Sequence, residues 1–202
     1  MNLRPHQERI IETMKRQDKG QILVPTGGGK TLCMIKDAES QFNSCNWGII
    51  NKQCDRKTIV IVAPRILLTQ QLCEDFVSTL NVHPMLQYKV LHVHSGNTSY
   101  DTTTNPNRIG NWCDENYRFN KLIFTTYHSL IRIMQSKIDV DTVYFDEAHN
   151  ACGKSFSAGV VFFGAYSPRV YFFTATPKHT TNKYKLGMNN TNIFGEVICQ
   201  VP

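Results

Sequence analysis

Hydrophobic positions along the chain change their period several times, and each change marks an element. Ile10, Ile11 and Met14 fall at helical spacing between Pro5 and about Lys15, and proline suits a first helical turn, where its missing N–H has no partner to lose. The run Gln21 to Val24 reads as a strand, and Leu32, Met34, Ile35 and Ala38 then line a helix opened by Lys30. Thr58 to Ala63 is an almost unbroken β-branched run, the pattern of a strand covered on both faces, and Pro64 ends it. Leu67, Leu68, Gln71, Leu72 and Phe76 predict an amphipathic helix beyond it. Further short strands are expected at Tyr88 to Val93, Lys121 to Phe124, Thr142 to Phe145 and Arg169 to Phe173. The least regular stretch, 95–120, reads as a mobile Thr-, Ser- and Asn-rich loop over 95–104 followed by a helix. Asn105 caps that helix, Pro106 takes its first position, and Ile109, Trp112 and Cys113 follow at i, i+3 and i+4.

Strand, crossover helix and parallel strand in repetition predict an α/β fold with a mostly parallel, doubly wound sheet flanked by helices. Ligands of such sheets bind beyond the carboxyl ends of the strands. A chain of 202 residues buries roughly 70% of its unfolded surface, which suits one sizeable core. No apolar run approaches the ~18 residues of a membrane span, and Met1 to Gln7 lacks a signal-peptide core, so a cytoplasmic protein without a membrane partner is expected.

The cysteines at 33, 45, 54, 73, 113, 152 and 199 form no Cys-x-x-Cys pair and are odd in number, which predicts reduced thiols and no disulfides. His92 and His94 alternate on a strand end, but no cysteine or carboxylate stands at matching ligand spacing, so zinc is not expected there. The net charge of +6 is spread along the chain and by itself leaves nucleic-acid binding open.

Two segments carry the chemistry. In Gln21-Ile22-Leu23-Val24-Pro25-Thr26-Gly27-Gly28-Gly29-Lys30-Thr31 a strand runs into a glycine-rich turn and then a helix. Glycines let several N–H groups face one anion, and the helix adds its positive end, so Thr26, Gly27, Gly28 and Gly29 predict a phosphate cradle. Lys30 is then expected on the β and γ phosphates and the Thr31 hydroxyl on magnesium. The eight-residue P-loop pattern begins with glycine, and Val24 stands in that place. The second segment, Val143-Tyr144-Phe145-Asp146-Glu147-Ala148-His149, is an apolar strand ending in two acids. Asp146 is the expected metal partner, with Thr31, and Glu147 the expected general base for an attacking water.

In sequence order, six segments resemble the first RecA-like, ATP-binding lobe of a superfamily 2 helicase or translocase. Leu3-Arg4-Pro5-His6-Gln7 resembles its adenine-reading segment, Pro25 to Thr31 its motif I, and Ala63-Pro64-Arg65 its motif Ia. Thr125-Thr126-Tyr127-His128-Ser129-Leu130 resembles its Thr-Tyr-x-Ser-Leu segment, Asp146-Glu147-Ala148-His149 its motif II, and Thr174-Ala175-Thr176 its motif III. The start Arg-Pro-x-Gln and the wording Pro-Thr-Gly-Gly-Gly-Lys-Thr are most similar to the restriction-enzyme and DNA-repair branch, which implies DNA rather than RNA as the partner.

The resemblance implies ATP and Mg²⁺ as cofactors, with Gln7 reading adenine and Arg4 flanking the base. It implies that His149 couples the nucleotide to Thr174 and Thr176, and that Pro64, Arg65, Gly96, Thr125 and Thr126 contact the sugar-phosphate backbone. Tyr127 either stacks a base or packs in the core. Residues 1–193 are expected to form the ATP-binding domain and 194–202 the start of a linker, after a polar, flexible stretch from Lys178 to Asn192. Such a motor needs a second RecA-like lobe, in cis or in trans, for its arginine fingers; alone, this chain is expected to be a monomer with weak or absent turnover. An RNA helicase lobe and a stand-alone ATP-binding regulatory module are the alternatives.

Overall fold

The computed structural model describes residues 3–44, 56–83, 86–182 and 186–202. Eight strands form one sheet: β1 (Lys19–Leu23), β2 (Thr58–Ala63), β3 (Tyr88–Val93), β4 (Asp101–Thr102), β5 (Asn120–Thr126), β6 (Thr142–Phe145), β7 (Arg169–Thr174) and β8 (Val197–Gln200). Their order is β4-β3-β5-β2-β6-β7-β1-β8, and every pairing is parallel. The sheet is therefore wholly parallel, which sends the residue after each strand to the same edge. Among the described residues, seven α-helices connect and cover it: α1 (Pro5–Arg16), α2 (Lys30–Asn43), α3 (Ile66–Thr79), α4 (Pro106–Glu115), α5 (Leu130–Ser136), α6 (Ser157–Tyr166) and α7 (Thr191–Phe194).

Alternation along each strand divides the core into two layers. Ile59, Ile61 and Ala63 face one way, with Leu122, Phe124, Tyr144, Tyr171 and Phe173, against α1, α2 and α3 through Ile10, Met14, Met34, Phe42 and Phe76. Val60, Val62, Ile123, Val143, Phe145, Val170 and Phe172 face the other, against α4, α5, α6 and α7 through Ile109, Leu130, Ile133, Val160, Phe163 and Phe194. A continuous apolar run was thus the correct signal for a central strand: all of β2 is buried.

The differences from the sequence reading have physical causes. β1 begins two residues before Gln21 because Lys19 and Gly20 already pair with Val170 and Tyr171. Leu67, expected on the apolar face of α3, is 78% exposed; the stripe that packs is Thr69, Leu72, Cys73 and Phe76. The loop expected at 95–104 contains β4, whose two residues pair with Leu91 and His92. Residues 194–202, expected to begin a linker, instead add strand β8 beside β1, and Phe194 is fully buried against Phe172 with ring centroids 4.8 Å apart. Buried Gln21 fastens this segment by donating to the Met188 and Gly195 carbonyls at 2.8 Å each, so part of the Lys178–Asn192 stretch is core: Met188 has no exposed surface. Phe194 and β8 lack a strong sequence signal because four residues are too few to show a period.

Candidate nucleotide and nucleic-acid site

The turns after β1, β6 and β7 lie side by side at the carboxyl edge, since β1 neighbours β7 and β7 neighbours β6. After β1 the chain makes a turn closed by the Gly28 N–H to the Pro25 carbonyl, 3.0 Å, with Gly27 and Gly29 at φ +78° and +81°. Gly29 is the N-cap of α2; no side chain caps the helix and no acid stands in its first turn, so its first N–H groups and positive end face outward. Thr31 is the second residue of that helix, and Thr26 is exposed on the turn. A cradle of this kind fits the triphosphate of a nucleotide, the residues at its rim being Lys30, Thr31, Asp146 and Glu147.

Lys30 and Glu147 stand 117 residues apart in sequence, and the Lys30 ammonium donates to Glu147 Oε1 at 2.7 Å. Asp146, the residue before, is 8% exposed. Burial pushes its carboxyl up to about 6, the neighbouring Glu147 charge adds to the rise, and Lys30 opposes it. Its backbone is clamped on both sides: its N–H donates to the Val62 carbonyl at 2.8 Å and its carbonyl accepts from the Tyr127 hydroxyl at 2.8 Å. Tyr127 is 2% exposed, stacks on Phe145 and so belongs to the core.

Glu147 holds a left-handed backbone, φ +47° and ψ 54°, which costs a residue with a side chain ~1–2 kcal/mol. The following 3-10 turn, Ala148–Cys152, explains how it is kept: the Asn150 N–H and side-chain amide both donate to the Glu147 carbonyl, at 3.0 and 2.9 Å. Asn150 also donates to His149 Nε2 at 3.1 Å, so Nδ1 carries the proton of the neutral ring and donates to Thr174 Oγ1 at 3.0 Å. Thr174 is fully buried and accepts from the Thr176 N–H at 3.2 Å. The acidic turn and the turn after β7 are thereby joined through one imidazole.

The first turn of α1 leans on the glycine-rich turn. His6 Nε2 lies 2.9 Å from the Gly28 carbonyl, and Gln7 Nε2 donates to the same oxygen at 3.4 Å. Gln7 Oε1 accepts from the Arg4 N–H at 2.9 Å, and the residue is 5% exposed. Gly29 is tied to this contact, since a Cβ there would lie 2.1 Å from Gln7 Nε2. Sequence reasoning assigned no role to His6; its only sequence signal is its position before Gln7.

The residues expected to meet nucleic acid fare unequally. Arg65 is exposed at the uncapped start of α3, next to half-buried Pro64. Thr125 is fully buried and its hydroxyl donates to the Val93 carbonyl at 2.9 Å, while the Thr126 hydroxyl is paired with Ser129 at 3.3 Å. Gly96 gives its N–H to His94 Nδ1 at 3.1 Å, and a Cβ there would lie 2.5 Å from Ile66 Cγ2. As surface donors, therefore, the two threonine hydroxyls are corrected: the fold consumes them, because the end of a central strand is covered on both faces.

An all-parallel sheet with a glycine-rich turn after β1 and an acidic pair after β6 defines a RecA-like P-loop lobe. The family profile described as Type III restriction enzyme, res subunit, matches residues 1–179, and the chain belongs to that family, with the N-terminal lobe of superfamily 2 helicases as its fold. Among solved structures, a nuclease-deletion mutant of the Type ISP restriction-modification enzyme LlaGI, in complex with a DNA substrate mimic, superposes with TM-score 0.75 over 100% of this chain and 20% of that chain, at 23% identity. The Pyrococcus furiosus Hef helicase domain gives TM-score 0.64 over 96% and 38%, at 25% identity. The UvsW helicase from bacteriophage T4 gives 0.65 over 98% and 60%, at 18% identity. The chain thus spans only part of each of these proteins. Comparison with curated protein sequences gives no match. Among the described residues no helix is long and apolar enough to cross a membrane, and no three metal-ligating side chains cluster.

Proposed function

We propose that this chain is the ATP-binding lobe of a DNA helicase or translocase that couples ATP hydrolysis to movement on, or remodelling of, nucleic acid. The observation that carries the reading is the convergence of Lys30 and Glu147 beside an uncapped helix N-terminus. With ATP bound, the N–H groups of Gly29 to Thr31 and the Lys30 ammonium would face the phosphates, and Thr31 and Asp146 would hold Mg²⁺, which supplies Lewis-acid charge neutralisation. Lys30 would exchange Glu147 for phosphate, freeing that carboxylate to take a proton from water. Arg4 and Gln7 would border the adenine.

His149, bonded to Thr174, would pass the state of the acidic turn to the turn after β7, where a second lobe would dock. Without that lobe's arginines the chain alone would turn over slowly, since one such residue is worth ~10³–10⁵ in rate. DNA is favoured because the Type ISP neighbour was solved with a DNA substrate mimic. Arg65 and the start of α3 would hold the phosphodiester backbone with little sequence preference and a strong salt dependence. The test is titration of a fluorescent ATP analogue with Mg²⁺, followed by titration of a single-stranded DNA and its RNA equivalent. Binding of the analogue that ATP displaces is expected, with DNA bound more tightly than RNA; no ATP binding overturns the reading, and tighter RNA binding favours the RNA-helicase alternative.

A further inference from the structure

Buried between β3, β5 and α3 are two histidines that the proposed chemistry does not use. His92 is 1% and His94 2% exposed, and His92 Nδ1 lies 2.9 Å from His94 Nε2. The Gly96 N–H can only donate, so His94 Nδ1 is an acceptor. Neutral His94 must then carry its proton on Nε2 and donate it to His92 Nδ1, which in turn places the His92 proton on Nε2. That N–H is buried with no partner among the described residues. The His92 ring is meanwhile stacked between Tyr100, at 5.7 Å and 19°, and Phe124, at 5.5 Å and 24°. One arrangement of protons is therefore imposed on the pair, at the cost of an unsatisfied donor, and orphaned buried groups of this kind are uncommon enough to require a reason.

The reason lies in what His94 holds. Gly96 abuts Ile66 in the first turn of α3, and the Asn97 carbonyl accepts from the Gln70 side chain at 2.5 Å. Thr102 Oγ1 donates to the His94 carbonyl at 3.3 Å, and the Thr103 N–H to the His92 carbonyl at 3.0 Å, closing the other end of the loop. Exposed Ser95 and Asn97, which flank Gly96, are thereby held against the first turns of α3, whose uncapped N-cap residue is the exposed Arg65. We propose that His94, kept in one tautomer by His92, is a positioning residue that fixes the 95–99 loop against α3, so that the two together grip consecutive phosphates of a nucleic-acid strand. This rests on the nucleic-acid reading above. The pair acts by geometry, since neither ring reaches solvent.

His92→Phe tests it, because phenylalanine keeps the stack with Tyr100 and Phe124 and removes the orphaned N–H while depriving His94 of its acceptor. It is expected to melt no lower than wild type yet to bind a fluorescein-labelled oligo-dT several-fold more weakly by anisotropy, with the ATP analogue bound as before. His94→Ala is expected to lose about tenfold, and His94→Asn, whose Oδ1 can accept from Gly96, to recover part of it. In ¹⁵N histidine spectra of the wild type, the His94 Nδ1 signal should be that of an unprotonated acceptor. Unchanged oligonucleotide affinity in His92→Phe and His94→Ala, or a protonated His94 Nδ1, overturns the inference and leaves the nucleic-acid reading standing. A wild-type chain that binds ATP but no oligonucleotide overturns both.

Discussion

The two edges of the sheet are built on opposite rules. At the amino edge nearly every buried polar group has a partner inside the fold. Asp37, 2% exposed, accepts from Arg169 at 3.0 Å, from the Tyr144 hydroxyl at 2.5 Å and from Gln41 at 2.9 Å. Tyr171 donates toward the carbonyls of Met14, in the last turn of α1, and of Gln17 just after it, and Thr142 donates to Gln41 at 2.6 Å. Asp141 accepts from Lys57 and from the Thr58 N–H, and Asn120 bridges Lys57 to Leu86. Burial and the Asp37 charge hold the Tyr144 phenol well above its ordinary range. At the carboxyl edge the helix start is uncapped, Glu147 is strained, and Asp146 holds a carboxyl pushed up to about 6. A closed network resists exchange of partners, whereas an edge left with open donors, a shifted acid and stored strain is ready for a ligand to complete it.

The contrast predicts where substitutions act. The largest effect on folding belongs to the amino edge. Arg169→Met strands the buried Asp37 charge and should cost about 3–5 kcal/mol in urea unfolding, with ATP affinity unchanged in the protein that folds. Adding Asp37→Leu should restore much of that stability; if the single variant is as stable as wild type, the network is dispensable. At the carboxyl edge Lys30→Ala should do the reverse. On the proposed reading it removes a charged hydrogen bond to phosphate, so ATP binding should weaken by about 10- to 100-fold while the urea midpoint hardly moves. Equal affinities would break the comparison at its functional end.

A smaller effect separates the edges by pH. In the proposed role Asp146 must lose its proton to hold Mg²⁺, so Mg²⁺-dependent ATP binding should fall as pH drops below about 6, and Asp146→Asn should abolish the dependence. For stability the sign differs. The folded carboxyl binds its proton more tightly than the unfolded one, so this group stabilises the fold at low pH and loses that contribution as pH rises through the window from 3.8 to about 6. His92 works against it. Burial, then the neighbouring His94, lowers its imidazole to about 4, so the unfolded chain takes up the proton first and stability falls as pH drops from 6.5 toward 4. Burial lowers His94 as well, and Tyr100 is the titratable group stacked on the His92 ring. Unfolding of wild type against His92→Phe over that range isolates the imidazole. The smallest effect is strain relief: Glu147→Gly should raise unfolding free energy by up to about 1 kcal/mol while removing the proposed base. A loss of stability there would show that the Lys30 contact outweighs the strained backbone.

Much of this was legible in the residues because the cues are local and chemical. The β-branched run Thr58 to Ala63 could only be a central strand, and the glycines around residue 28 could only be a turn that tolerates positive φ. The acids after Phe145 mark the end of an apolar strand, and parallel order alone brings them to the edge where Lys30 starts its helix. Hydroxyls and glycines near 96 and 125 were legible as residue types but not as exposed groups, for burial depends on neighbours in space: Val93 took the Thr125 hydroxyl and His94 took the Gly96 N–H.

By itself, then, the sequence determined the period of each element, the positive-φ turn that the glycines after β1 make, and the chemical kinds of side chain beside it. Only the tertiary structure decided that Val197–Gln200 completes the sheet, that His6 and Gln7 brace Gly28, that Asp37 answers Arg169, and that two histidines two residues apart share one proton arrangement. The physical reason is range. Periodicity and turn preference act over a few residues, whereas partners for buried polar groups are chosen from across the chain, by whichever donor or acceptor the packed layers bring within about 3 Å.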